Sequence, residues 1–514
     1  MRPFFCLAEV VRIAATALHS SLSSCRQAAV SLRVAGCVPL CLAVSLFAMP
    51  VAAADSLVDR ALTRAKQLGL GANEVSLLLV SDSGVTLAAH REASQVPPAS
   101  VLKLLTACAA YDLLGVDFKF RTELRHSGQV RADRDAAGGR GVLDGDLVVV
   151  GRGDPGFSGR HYDGDPMRAF EPWIAELRRR GIVSVTGALV GDDQYLAGPS
   201  RLADWPRDQL HRWYCAPSGA LNLNDNCVDV CIAPAADGRR IGVLLRPATR
   251  MFQIDHQIRA VSTKKKHRYS VDRAPGEWAI VMRGGFLSTA SERVEWISVP
   301  DPTAAFLAAL HEHLRQRSIA IAGGHRAGSV ANSKLLATIE RPLVDAVWPL
   351  MKQSQNLFGD CLARVIDRES GGRGDFAGAS QRLRDYLVRV IGAPAADGVV
   401  IRDGSGLSKQ NRLSARALVA LLRYANRQPW GRDLAATMPV AGEDGTLKKR
   451  FRKHPLRGQV RAKTGHIKGV SGLAGTAQTA AGEVHFALLF HGAAGKVAKA
   501  RLWQEKVLAE LVVK

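Results

Sequence analysis

Three short groups of residues have the types and spacing to do chemistry. In "PPASVLKLLTACAA", residues 97 to 110, Ser100 and Lys103 stand three apart at the start of an apolar run. Residues three apart on a helix share a face, so the hydroxyl and the amine can meet. A serine hydroxyl is a weak nucleophile until a neighbouring base takes its proton, and a lysine is such a base when its pKa is depressed by burial or nearby cations. Val101, Leu102, Leu104 and Leu105 supply an apolar setting, and the first turn of a helix favours a developing oxyanion. Taken alone, this spacing equally describes the polar beginning of a buried helix. "KQSQNLF" carries Ser354 and Asn356 between two helical patterns, where a loop displays a hydroxyl and an amide into a cleft. "VRAKTGHIKG" carries Lys463, Thr464 and Gly465 on a strand pattern. There a cation, a hydroxyl and an uncluttered backbone can bind the carboxylate of an extended substrate.

The elements that must position these groups come from both ends of the chain. "SLVDRALTRAKQLGL" has helical periodicity, and "EVSLLLVSDSGVTLAAH" reads as two strands joined at Ser81-Asp82-Ser83-Gly84. The stretch holding Ser100 follows as a helix. Beyond Gly115 strands and glycine-rich turns such as "DAAGGRG" and "GRGDPG" dominate, with a helical interlude at "PMRAFEPWIAELRRRG". From about residue 335 helices return in "PLVDAVWPLMKQ", "NLFGDCLARVIDRE" and "ASQRLRDYLVRVIG". The chain closes with strands around "VRAKTG", "GLAGTAQTA" and "EVHFALLFHG" and an amphipathic helix, "KARLWQEKVLAEL". The expected architecture is one α/β domain assembled from residues 55–118 and 336–514, with a mainly β module of two subdomains, residues 119–335, inserted between them. No repeat of fixed period occurs.

Composition narrows the setting. Arg26 and Arg33 precede the apolar "VAGCVPLCLAVSLFAMPVAA", which ends in Ala52-Ala53-Ala54 before Asp55. Residues 1–54 are therefore expected to be a signal peptide cleaved after Ala54, placing the mature protein in the periplasm. The reading as a membrane anchor is weaker, because Pro39 and Pro50 bracket less than the roughly 20 apolar residues a spanning helix needs. The formal net charge of +22, with a pI near 10.0, marks a polyanion-attracting surface. Export excludes nucleic acid as the partner and leaves anionic envelope surfaces and carboxylate-rich wall polymer. "KKKHR", residues 264 to 268, is the densest basic run and reads as a solvated loop. Of nine cysteines, Cys108, Cys215, Cys227, Cys231 and Cys361 follow the leader. One disulfide among Cys215, Cys227 and Cys231 is expected in an oxidising compartment. No CxxC pair occurs, and His311, Glu312 and His313 lie on a helical pattern where residues two apart diverge, so no metal site is expected.

Together, and in this order, SxxK, SxN and KTG form the signature of penicillin-binding proteins and serine β-lactamases. The stretch from Ser100 to Ser354 is far longer than a compact β-lactamase needs, and no E-x-x-x-N lies within it to supply a deacylating glutamate. "LVVVGRGDPGFS", "WPRDQLHRWYCAPSGALNLNDN", "SQNLFGD", "IRDGSGLSKQNRLS", "MPVAGEDGTL" and "RAKTGHIKGVSGLAG" are further landmarks. On these the chain resembles the D-alanyl-D-alanine carboxypeptidase/endopeptidase family, peptidase family S13, the penicillin-binding protein 4 type, over essentially all of its mature length. The resemblance implies an α/β (α+β) penicillin-recognising serine transpeptidase/β-lactamase-like domain with the insertion between SxxK and SxN. It implies a serine carboxypeptidase and DD-endopeptidase acting on peptidoglycan stem peptides and crosslinks through an acyl-enzyme, acylated by β-lactam antibiotics and needing no cofactor. Ser100 would be the nucleophile and Lys103 its base. Ser354 would pass a proton to the leaving amine, Asn356 would hold the acyl amide, Lys463 would supply positive field and Thr464 would bind the terminal carboxylate. The backbone N–H groups of Ser100 and His466 would form the oxyanion hole. "RDGSGLSKQN" would place Asp403, Ser405 and Ser408 as supports near the site. The competing readings are a β-lactamase or esterase on the same scaffold, and a non-catalytic wall-binding protein.

The chain also departs from that family. Where "WPRDQL" would place an acidic residue that recognises the free amine of the diaminopimelate arm, the matching position holds Gln209, with Asp208 one step earlier. After KTG the family has Ser or Thr, and this chain has His466, followed two residues on by Lys468. Weak discrimination for a free side-chain amine is expected unless Asp208 reaches the site.

Overall fold

Strands from the two chain ends meet in one five-stranded antiparallel sheet. Its order is Val460–Ile467, Val470–Thr479, Gly482–His491, Val75–Ser81, Thr86–His90. The computed structural model describes residues 51–132 and 141–511. The expected leader up to Pro50 lies outside the described residues, and the expected cleavage point falls in the first turn of the helix Val51–Gln67. No helix among the described residues is long and apolar enough to cross a membrane.

The three central strands are buried along nearly their whole length, because both sheet faces are covered. Side chains alternate between the faces. Leu77, Leu79, Phe486 and Leu488 pack under the terminal helices Val51–Gln67 and Val497–Ala509 with Trp503. Leu78, Val80, Ala487 and Leu489 join a helical layer built from Lys103–Leu113, Val344–Lys352, Asn356–Glu369, Phe376–Ile391 and Ala415–Asn426. Each fully buried Leu or Phe contributes about 1.5–3 kcal/mol. Two of these helices start on side-chain caps, Asp375 accepting from the Gly378 N–H at 2.8 Å and Ser414 from the Ala417 N–H at 3.1 Å.

The segment between the helices Lys103–Leu113 and Val344–Lys352 carries two further cores. One packs Phe157, Phe170, Trp173 and Phe306 against the strands Lys119–His126, Leu147–Val150 and Leu189–Asp192. The other packs Val230, Ile280, Met282 and Phe286 between two three-stranded sheets. Lys264–Lys266 of "KKKHR" form an exposed turn after the strand Gln253–Val261, and Arg268 begins the strand Arg268–Arg273.

Two elements differ from expectation. Lys334–Pro342 is a strand where helices were expected from about residue 335; it pairs antiparallel with Lys119–His126. Its partner lies across the whole inserted segment, which is why local periodicity did not reveal it. The Ser100 turn is also a 3₁₀ turn, Ala99–Leu102, and the α-helix begins at Lys103. A 3₁₀ turn has three residues per turn, so positions 100 and 103 stand directly above one another.

The cysteine expectation is corrected. Cys108, Cys215, Cys227, Cys231 and Cys361 are all free and buried. Cys227 and Cys231 lie on one strand, Cys227–Pro234. Four residues of extended chain separate their Cα atoms by about 13 Å, against an upper limit near 7 Å for a disulfide.

Candidate active site

The floor of the site is two buried lysines, each holding one serine. Lys103, fully buried at the head of its helix, places Nζ 2.9 Å from Ser100 Oγ, 2.7 Å from Asn356 Oδ1 and 2.5 Å from the Ser405 carbonyl. Lys463, also fully buried, donates to Ser354 Oγ at 2.8 Å and to the Thr464 carbonyl at 2.8 Å. Burial draws the Lys103 amine down to about 7, against the opposing pull of the Asp360 and Asp403 carboxylates. Burial, and then the charge of Lys103, holds Lys463 well below the usual lysine range. Ser100 thus has within hydrogen-bond reach an amine whose pKa burial has lowered towards neutral, as a general base requires.

The backbone around these side chains is shaped for close approach. Ser354 has φ 61 and Ala99 φ 49, left-handed values costing non-glycine residues about 1–2 kcal/mol. Such strain persists only where the surroundings over-determine it. Gly465 lies so near the Ser100 turn that a Cβ would sit 2.7 Å from the Pro98 carbonyl and 3.2 Å from the Ser100 nitrogen. The strand Val460–Ile467 can therefore lie against the Ser100 N–H only with glycine at this position. Gly406, at φ +82, allows the same approach from the opposite side, where a Cβ would meet the Ala99 carbonyl at 2.0 Å.

Several supporting residues carry no local motif. Asp360, buried one helical turn after Asn356, accepts from the Gly404 N–H at 3.0 Å, and burial followed by the charge of Asp403 pushes its carboxyl well up. Asp403 accepts from the Gly406 and Ser408 N–H groups at 2.7 Å each, from Asn411 Nδ2 at 2.9 Å and from Trp205 Nε1 at 3.2 Å. It thereby fixes the loop whose Ser405 carbonyl faces Lys103. Ser408 in turn donates to Asp204 at 2.6 Å. Asn356 turns its amide nitrogen to the Tyr214 carbonyl at 2.8 Å, and Thr464 donates to Thr446 at 2.8 Å. The only sequence signals for Asp360 and Thr446 were their places in the landmarks "SQNLFGD" and "GEDGTL".

Ser100, Ser354, Asn356, Thr464, Gly465 and His466 line one groove of about 900 Å³. His466 is exposed, with Nδ1 3.2 Å from the Val470 carbonyl. The rim brings in Lys409, Lys449, Lys468 and Arg501, all exposed. Among the described residues, the one carboxylate on the lining, Glu505, is 2.7 Å from Arg450 Nε. Gln209 lines the groove and accepts from the Tyr214 hydroxyl at 2.9 Å. Asp208, expected as its alternative, is exposed and does not line it.

No metal ligands converge on the groove among the described residues. His311 faces His325, Nδ1 to Nδ1 3.1 Å, whereas His313 is buried 3.4 Å from Glu171. One cluster that the sequence did not suggest does assemble elsewhere: Asp82, Glu483 and His485 bring ligand atoms within 4.8 Å of one another. Burial first, and then the charges of Arg423 and Arg427 against the opposing pull of Asp82, disfavours the charged form of His485.

The model of the D-Ala-D-Ala carboxypeptidase 3 (S13) family matches residues 55–510. The D-alanyl-D-alanine carboxypeptidase of Actinomadura sp. strain R39 is 31% identical over 441 residues, covering 82% of this chain and 78% of that protein. The D-alanyl-D-alanine carboxypeptidase DacB of Haemophilus influenzae is 28% identical over 396 residues, 75% of this chain and 78% of its own. The crystal structure of penicillin binding protein 4 from Haemophilus influenzae superposes with a TM-score of 0.70 at 24% identity, covering 85% of this chain and 96% of that one. That likeness shows a shared fold of the penicillin-recognising kind.

Proposed function

This chain belongs to the D-Ala-D-Ala carboxypeptidase 3 (S13) family, a family of serine peptidases, and from that premise we propose that it removes the terminal D-alanine of peptidoglycan stem peptides and opens D-Ala crosslinks by the same chemistry. The observation that carries the reading is the pair of buried lysines, Lys103 on Ser100 at 2.9 Å and Lys463 on Ser354 at 2.8 Å, in one groove.

In this reading Ser100 Oγ attacks the carbonyl carbon of the penultimate D-alanine while its proton passes to Lys103 Nζ. The oxyanion is held by the N–H groups of Ser100 and His466, worth about 3–4 kcal/mol per donor in such sites. Collapse breaks the C–N bond as Ser354, hydrogen-bonded to Lys463, delivers a proton to the departing amine and takes up the one that Lys103 received from Ser100, leaving Lys103 free to act as base again. Asn356 holds the acyl amide, and Thr464 binds the terminal carboxylate in the field of Lys463. Water then attacks the ester, giving its proton to Lys103, and Ser100 is regenerated. In a crosslink the leaving amine belongs to a neighbouring stem peptide and the steps are otherwise the same. A β-lactam presents a strained amide to the same serine and leaves a long-lived acyl-enzyme. The groove needs no cofactor for these steps.

The rim favours a further reading of the same site. Gln209 replaces a carboxylate and Lys468 adds a cation, so a substrate ammonium is repelled by about 1 kcal/mol at close range and free-amine selectivity is weak. We also propose that residues 1–54 are an export signal removed after Ala54 and that the protein works in the periplasm, its basic surface associating with anionic envelope polymer. The experiment is to label the purified mature protein with a fluorescent penicillin and follow D-alanine release from a pentapeptide. Stable label with release supports the peptidase, rapid turnover of label indicates a β-lactamase, and absence of label indicates a non-catalytic binder.

A further inference from the structure

A second hollow of about 330 Å³ shares two wall residues, Trp213 and Gln353, with the catalytic groove. Its volume is at the lower end of the range of ligand sites. Gln353 immediately precedes Ser354, so the two spaces are joined at the catalytic loop.

Three features mark this hollow. Trp296, which helps line it, leaves 53% of its surface exposed, opposite Asp229 in the antiparallel pairing of Arg293–Ser298 with Cys227–Pro234. Directly paired residues project from the same face, so an indole and a carboxylate stand side by side. Asp225 Oδ2 accepts from Arg160 Nε at 2.8 Å and Nη2 at 2.5 Å, whereas its Oδ1 is buried with no hydrogen-bond partner. Asn224, Asp225 and Asn226 are three consecutive residues in the left-handed region, with φ 50, 56 and 51. That conformation is imposed by Asn226, buried and bonded to the Pro217 carbonyl at 2.7 Å, to Asn222 at 2.7 Å and to the Leu223 N–H at 3.0 Å. Strain of this kind, supported by a satisfied buried network, marks a segment held in place for recognition.

The remaining wall groups are planar hydrogen-bonding side chains. Arg160 joins Asp225 to Gln353 through a contact from its guanidinium to Gln353 Oε1, and Asn224 donates to Asp229 at 2.9 Å. Exposed indole faces bracketed by carboxylate, guanidinium and carboxamide groups suit a pyranose ring. Its C–H face stacks on the aromatic, and its hydroxyls can bond to the carboxylate, guanidinium and carboxamide groups of the wall. We propose that this hollow binds a sugar of the glycan strand from which the stem peptide hangs, and so selects peptides still attached to glycan. The proposal rests on the peptidoglycan substrate proposed above. Five extended residues span at most about 17 Å, a reach suited to two sites that share a wall.

The test compares kcat/KM for D-alanine release from a disaccharide-pentapeptide with that from the same pentapeptide free of sugar. In the wild type a preference of about tenfold or more for the glycan-bearing substrate is expected. In Trp296→Ala the preference falls towards one, and Trp296→Phe restores part of it. Calorimetry with the peptide-free disaccharide should show binding to the wild type that Trp296→Ala loses. Equal use of both substrates by the wild type, or a preference unchanged in Trp296→Ala, overturns the proposal. If neither peptide is hydrolysed and penicillin does not label the protein, the peptidase reading fails, and the disaccharide calorimetry still decides this one.

Discussion

The catalytic groove contains two sets of cations that differ in one respect. On the floor Lys103 and Lys463 are fully buried and hydrogen-bonded to serines. On the rim Lys409, Lys449, Lys468 and Arg501 are exposed. Burial penalises charge, so on the floor a lysine becomes a base, drawn down to about 7 for Lys103. At the rim water solvates the ammonium, and the residue acts only through a field that salt screens within about 8 Å. In the proposed reading, the same residue type therefore does proton chemistry in one place and substrate selection in the other.

The largest effect should come from breaking the floor. Ser100→Ala should lower kcat/KM for D-alanine release by at least about 10,000-fold and abolish penicillin labelling, with an unchanged melting curve. Lys103→Ala should do nearly the same, and the double variant should be little worse than either, because the two act as a unit. Retained labelling in Ser100→Ala would assign the nucleophile elsewhere.

Next is the support beneath the floor. Asp403→Ala strands four donors in the interior, and at about 1–3 kcal/mol for an unsatisfied group the fold should lose about 3 kcal/mol or more in denaturant unfolding. An unchanged midpoint would show that the loop holding Ser405 is organised without it.

The floor should also be visible in pH. A lysine with a lowered pKa is a base only above that value, so kcat/KM should be flat above about pH 7 and fall tenfold per unit below it, to about 1% of its plateau at pH 5. A profile flat down to pH 5 would rule out Lys103 as the titrating base.

The smallest effect belongs to the rim. Lys468→Gln should raise the ratio of kcat/KM for free over acetylated side-chain amine by about fivefold, the equivalent of about 1 kcal/mol. Asp208→Asn should leave that ratio unchanged, since Asp208 does not line the groove. A wild type that prefers the free amine more than tenfold, and keeps that preference in Asp208→Asn, would contradict the weak-selectivity reading and leave another group to recognise the ammonium.

Short-range order in the chain was enough for the reactive groups, and insufficient for what surrounds them. Ser100 with Lys103, Ser354 with Asn356, and Lys463 with Thr464 and Gly465 are each set by a few consecutive residues, and the strand patterns at both ends announced the sheet that carries them. Their type and spacing follow from local backbone geometry, which a linear sequence encodes. The bonds that turn Lys103 into a base do not: Asn356 is 253 positions away and Ser405 is 302. The strand Lys334–Pro342 likewise depends on Lys119–His126, and the hollow beside Trp296 depends on a loop, a sheet edge and the turn before Ser354. Burial, a lowered pKa and an unpaired carboxylate oxygen are properties of which distant segments exclude water together. The sequence determined which groups were available for chemistry; only the packing of remote segments decided which of them lost their solvent, because desolvation has no local pattern to read.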